Sequence, residues 1–247
     1  MRKPSSQKAA MDLLTTATST DVGDRAPNVA VLPIGSFEQH GSHLPLITDT
    51  AIACTIAQAV SQAHSLFLLP PITISCSHEH ADFPGTVSIS AATLTRVIED
   101  ILSSLDFQRI RKLIMISGHG GNYVLSNIAQ QANITEPRLL LFPTRNDWDA
   151  ARRAAGLSSG GHEDMHGGEA ETSILLRYQP SYVGANWESA DHEADDRPDL
   201  LLLGMHGYTK TGIIGRPSLA TAAKGEALVR ELVAAIGPHL GLLRGAS

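Results

Sequence analysis

Three glycine-rich segments of this chain crowd histidines and carboxylates together. The first reads Gly35-Ser36-Phe37-Glu38-Gln39-His40-Gly41-Ser42-His43-Leu44-Pro45-Leu46-Ile47-Thr48-Asp49. Glu38 and His40 are two residues apart, so in extended backbone both side chains project to one side. Asp49 returns at the expected start of a helix, where the helix dipole favours a carboxylate. Glu, His and Asp together suit Zn²⁺, Mn²⁺ or Fe²⁺. One carboxylate can also bridge two ions through its two oxygens, as in two-metal hydrolytic sites. Three such residues in twelve positions read as a metal site rather than as a polar turn capped by a histidine.

The second segment, Ser117-Gly118-His119-Gly120-Gly121-Asn122, has two readings. It fits a phosphate cradle at a helix N-terminus or a metal loop in which the glycines let His119 reach a shared site. A G-x-G-x-x-G pattern needs glycine at position 123, where Tyr123 stands, which favours the metal loop. The third segment, Gly161 to Ser173, holds two histidines and four carboxylates. It is either a solvated acidic loop or, through Gly167-Gly168, a close approach of backbone to the site. His166 there is a candidate proton shuttle, since imidazole titrates near neutrality. In His78-Glu79-His80, extended backbone would turn Glu79 away from both histidines, which leaves a pocket rim or a surface turn. There is no P-loop, and the letter matches to H-E-x-x-H (His162-Glu163-Asp164-Met165-His166) and G-x-S-x-G (Gly156-Leu157-Ser158-Ser159-Gly160) stand in a glycine-rich loop, not on an expected helix or at the end of an expected strand. Hydrolysis here would therefore use metal-activated water.

These loops need a scaffold. Apolar runs at Val29–Ile34, Leu66–Leu69, Lys112–Ser117 and Arg138–Phe142 are bounded by glycine or proline or by polar turns and read as buried strands. Helical patterns separate them: 50–63 with Thr48 or Asp49 as N-cap, a helix after Ser90, one starting near Asn122, one over 171–178, and a last one capped by Ser218. Strands alternating with helices predict an α/β single domain, a mainly parallel sheet flanked by helices. Ligands of such sheets bind at the carboxyl ends of the strands, where the first two segments begin. Residues 1–25 read as a flexible leader and 26–247 as the domain.

The 247 residues are 43% hydrophobic and 18% charged, with net charge −6 and 11 histidines. Two cysteines, Cys54 and Cys76, build no disulfide framework. No apolar run approaches the length that spans a bilayer, and no signal segment stands at the start. The expectation is a cytoplasmic protein that binds neither membrane nor nucleic acid. The low charged fraction and the Leu200-Leu201-Leu202-Leu203 run suggest a surface buried between subunits of a homo-oligomer, or else a short core strand.

Taken together, Leu32-Pro33-Ile34-Gly35-Ser36-Phe37-Glu38-Gln39-His40-Gly41, His43-Leu44-Pro45-Leu46 with Thr48-Asp49, Phe83-Pro84-Gly85-Thr86-Val87-Ser88, Ser117 to Asn122, His166 to Ser173 and Gly212 to Pro217 resemble the creatininase family of metal-dependent amidohydrolases. The resemblance implies a creatininase-like α/β fold, a hexameric assembly and two divalent metal ions per chain (Zn, Mn or Fe) acting on a small-molecule or peptide amide. It implies that Glu38 and His119 hold one ion, His40 the other, and that Asp49 bridges them, with His166 as catalytic histidine. Creatinine-cleaving members carry a glutamate where this chain has Gly121. The resemblance assigns the missing ligand to Glu171 rather than Glu169, because Glu171 has the family's spacing from His166. Two residues apart on a helix, the pair differ in direction by about 200° and cannot both face the site. The His-Gly-Gly-Asn version is shared by members that trim the mycofactocin precursor peptide and members that deformylate a formylamino-pyrimidine nucleotide. Creatinine hydrolysis and an inactive metal-binding assembly subunit are the remaining alternatives.

Overall fold

The structure, a computed structural model, describes residues 14–245. Four parallel strands run in the order β2-β1-β3-β4, with β1 at Val29–Ile34, β2 at Phe67–Leu68, β3 at Lys112–Ser117 and β4 at Leu139–Phe142. The strands read as apolar runs because helices cover both faces. Alternation along β1 and β3 divides the core in two. Val29, Val31, Ile114 and Ile116 pack with Ile52, Ile174, Leu228 and Leu232 on one side. Ala30, Leu32, Leu113 and Met115 pack with Leu94, Ile98, Leu125 and Ile128 on the other. These partners come from α2 (Thr48–His64), α6 (Glu169–Tyr178) and α8 (Ala222–Arg244) on the first face, and α3 (Ala91–Phe107) and α4 (Val124–Ala132) on the second.

β1 and β3 pair from Val29↔Lys112 to Ile34↔Ser117, so they end flush. The loops after Ile34 and Ser117 therefore leave side by side. Both press on the first turn of α2. A Cβ at Gly35 would lie 2.3 Å from Thr50 Oγ1, and one at Gly118 would lie 2.3 Å from the Asp49 carbonyl oxygen. Glycine at both positions is a condition of that approach.

Several local expectations are corrected. Helix α2 begins at Thr48 with Ile47 at the N-cap and no side-chain cap, because the Asp49 carboxylate turns toward histidines instead. Thr221, not Ser218, caps α8; the Ser218 hydroxyl and amide both donate to Asp191. Arg145–Ala154 forms α5, with a Thr144/Asp147 capping box, a helix absent from the pattern read in the sequence. Leu200–Leu203 is a short helix, α7, with Leu201 and Leu202 each 82% exposed, so it is not a core strand. Of the 1–25 leader, residues 1–13 lie outside the described residues, and the rest holds helix α1 (Ser19–Arg25), none of which is buried. Among the described residues no helix is long and apolar enough to cross a membrane.

Candidate metal centre

Glu38, His40, Asp49 and His119 converge where the two flush loops meet α2, and all are buried. Asp49 Oδ1 lies 3.1 Å from His40 Nε2 and Oδ2 lies 3.1 Å from His119 Nδ1. Its two oxygens thus face two different imidazoles, the arrangement a bridging carboxylate requires. Ser36 Oγ donates to Oδ2 at 2.6 Å and fixes the carboxylate plane. Glu38 Oε1 is 3.1 Å from His119 Nδ1. Glu171, on the first turn of α6, brings Oε2 to 3.9 Å from His40 Nε2, and the Gly167 N–H donates to the same oxygen at 2.6 Å.

Backbone carbonyls decide which ring nitrogens face the centre, because a carbonyl can only accept. The Glu38 carbonyl lies 3.0 Å from His40 Nδ1, the Cys76 carbonyl 2.9 Å from His119 Nε2, and the Gln39 carbonyl 2.6 Å from His166 Nε2. Each of those nitrogens carries the hydrogen. The remaining ring nitrogens, His40 Nε2, His119 Nδ1 and His166 Nδ1, face the carboxylates. Such outer hydrogen bonds orient histidine ligands in metal proteins generally.

The electrostatics call for a cation. Both oxygens of Glu38 are buried and accept no aligned hydrogen bond, an arrangement that a buried carboxylate tolerates only beside positive charge. Burial opposes protonation of His40, but Asp49 outweighs it and raises the imidazole to about 9. Burial likewise opposes charge on His119, which Glu38 and Asp49 nevertheless hold well above its usual range. Burial would lift Asp49, yet His40 and His119 keep it well below the carboxylate range. Burial, with Asp49 adding to it, pushes Glu171 up to about 7. Protons offset the crowded carboxylate charge at these positions. Ligand atoms of Glu38, His40 and Asp49 lie within 4.8 Å of one another, as do those of His40, His166 and Glu171. The donor set fits divalent ions of the Zn, Mn or Fe kind.

Glu169 points elsewhere. Its oxygens accept from the Ser158 and Ser159 amides and pair with Lys224 Nζ at 2.5 Å. Two residues missing from the expected cluster are present. His80 Nε2 comes to 3.3 Å from Glu38 Oε1, and Glu79 Oε1 to 3.4 Å from His119 Nε2. Residues 78–80 form a 3₁₀ turn, not extended chain, and it sets His80 and Glu79 against the centre. Beyond Glu79 opens a cavity of about 410 Å³ lined by Cys76, Gly121, Tyr123, Leu201 and Leu202.

A family model described as creatininase, creatinine amidohydrolase, matches residues 14–239. The chain belongs to the creatininase family. It is 35% identical over 232 residues to a mycofactocin precursor peptide peptidase of Mycobacterium ulcerans, covering 89% of this chain and 87% of that one. It is 24% identical over 229 residues to a creatinine amidohydrolase of Pseudomonas putida, covering 84% and 86%. A solved creatininase described with manganese shares the fold, with TM-score 0.78 at 23% identity over 92% of this chain and 96% of that one. The creatininase-family chain is accordingly a hydrolase of amide C–N bonds with clusters of candidate metal ligands.

Proposed function

We propose that this enzyme cleaves an amide bond in a peptide substrate, using two divalent cations held by Glu38, His40, Asp49, His119 and Glu171. The observation that carries the metal assignment is Asp49, whose two oxygens each face the ring nitrogen of a different histidine. The peptide reading is supported by the greater identity to precursor-peptide peptidases than to creatinine amidohydrolase. Bound cations supply Lewis acidity, polarising an amide carbonyl and making water acidic.

His166 supplies the proton traffic. Its Nδ1 lone pair faces Glu38 Oε1 at 3.7 Å. Burial, reinforced by His40 and His80, holds this imidazole well below its usual pKa, so it enters the reaction neutral. It takes a proton from the attacking water at Nδ1 and returns it to the departing nitrogen, the exchange general acid–base catalysis requires. Metal analysis beside a panel of a linear peptide, a formamide and creatinine tests the reading. Turnover of the peptide with about two ions per chain is expected. Two ions without turnover of any amide would favour an inactive assembly subunit.

We further propose that residues 26–247 act as one unit behind a leader, that the protein works in the cytoplasm with both cysteines reduced, and that it assembles as a homo-oligomer. Cys54 and Cys76 are buried and free. The exposed leucines of α7 beside Tyr123 form the apolar face that supports assembly.

A further inference from the structure

Gln39 offers neither a carboxylate nor a ring nitrogen, yet its amide is buried between two histidines of the centre. Two backbone groups settle which end of that amide is which. The Gly41 N–H, which can only donate, lies 2.9 Å from Oε1. The Gly212 carbonyl, which can only accept, lies 2.9 Å from Nε2. Orientation thus follows from chemistry that does not depend on any side-chain assignment.

With one N–H of Gln39 on Gly212, the other meets His80 Nδ1 at 2.8 Å. His80 Nδ1 must accept, so its hydrogen sits on Nε2, beside Glu38 Oε1 at 3.3 Å. The contact is close without being an aligned hydrogen bond. His166 Nε2 is 3.2 Å from the same amide nitrogen, whose hydrogens are both committed, and 2.6 Å from the Gln39 carbonyl. It therefore donates to that carbonyl and keeps Nδ1 bare. Side chain and main chain of one residue address two imidazoles.

We propose that Gln39 is a positioning residue that sets the tautomers of His80 and His166, keeping His80 out of the metal shell and the His166 lone pair aimed into it. The inference deepens the reading of His166 as proton carrier and rests on it. It also separates the clusters. Ligand atoms of Glu38, His80 and His166 lie within 4.8 Å of one another, but His80 has no lone pair left to give, so this trio holds no ion of its own. Gly212 is part of the device. At φ +86°, a Cβ there would stand 1.7 Å from Gln39 Oε1, so only glycine lets the amide seat.

The test reads the tautomers directly. Zinc-loaded protein labelled with ¹⁵N-histidine, examined without substrate by solid-state NMR, should show both His80 and His166 protonated at Nε2 and bare at Nδ1. Because no turnover is involved, failure of the amide-hydrolase reading would leave this result standing. In Gln39→Glu the carboxylate can only accept, so His80 should gain a hydrogen at Nδ1. Its zinc content should stay at the wild-type level, while kcat falls roughly 10–100-fold, the usual scale for partners of ligands, and the pH profile shifts. Wild-type protein with hydrogen on His80 Nδ1, or a folded Gln39→Glu variant with unchanged tautomers, would overturn the proposal. Should that variant fail to fold, the wild-type spectrum alone still decides.

Discussion

Glu171 and Glu169 differ in what a neutral amide would cost. At Glu171 the substitution removes a charge facing His40, and the cations are held by such charges. Glu171→Gln should bind about one ion fewer by elemental analysis and lose turnover by orders of magnitude. At Glu169 it removes half of a buried pair with Lys224. Glu169→Gln should keep its metal but lose about 3 kcal/mol of stability in urea, as when one partner of a buried pair is deleted. Equal metal loss in both would count against Glu171 as ligand. The protons on the metal-free centre make a second forecast. His40 titrates at about 9 and Glu171 at about 7. Both are raised, so below those values a cation must displace protons. Calorimetry in buffers of different ionisation enthalpy should show proton release on metal uptake near pH 7, and apparent affinity rising with pH between about 7 and 9. Affinity that falls over that span would contradict the assignment.

At the scale of elements, the positions of the site loops depend on glycines under the α2 N-terminus. Gly118→Ala would set a methyl 2.3 Å from the Asp49 carbonyl and 3.1 Å from Ala53 Cβ. Since the obstacle is backbone, the loop must move. The variant should lose about 1–3 kcal/mol by overpacking and bind metal more weakly, read by urea midpoint and zinc titration together. Elements of this kind were legible in proportion to how strongly they are covered. β1 and β3 stand out as apolar runs because both faces are buried, and α3 because Ser90 caps a stripe of Leu94, Ile98 and Leu105. Helix α5 was not, since Arg145–Ala154 buries only Ala151 and presents mostly polar side chains. The ligand candidates in the 35–49 and 117–122 loops showed because short-range spacing and strand ends imply where they point. His80, Glu79 and Gln39 did not. Their roles depend on a 3₁₀ turn and on partners such as Gly212, 173 positions away from Gln39, and no local pattern encodes such a meeting.

For the whole molecule, the exposed face of α7 is the feature to test. Leu201 and Leu202 line the cavity beyond Glu79 together with Tyr123, itself 61% exposed. Such a patch is costly to leave in water. Sedimentation at micromolar concentration should give a particle several times the 26.3 kDa chain, and Leu202→Glu should shift it toward monomer. A wild-type monomer would leave the leucines to the substrate cavity alone.

The hydrogen bond from Gln39 to Gly212 also has a consequence in time. A chain leaves the ribosome from its N-terminus, and domains begin to organise as they emerge. Glu38, His40 and Asp49 appear early and His119 about midway, but Glu171 and the carbonyl that seats Gln39 come only in the last third. A nascent chain therefore displays Glu38, His40, Asp49 and His119 before Glu171, and before the carbonyl that holds the Gln39 amide against His80, exist. The five proposed ligands are thus complete only once synthesis has reached the last third of the chain.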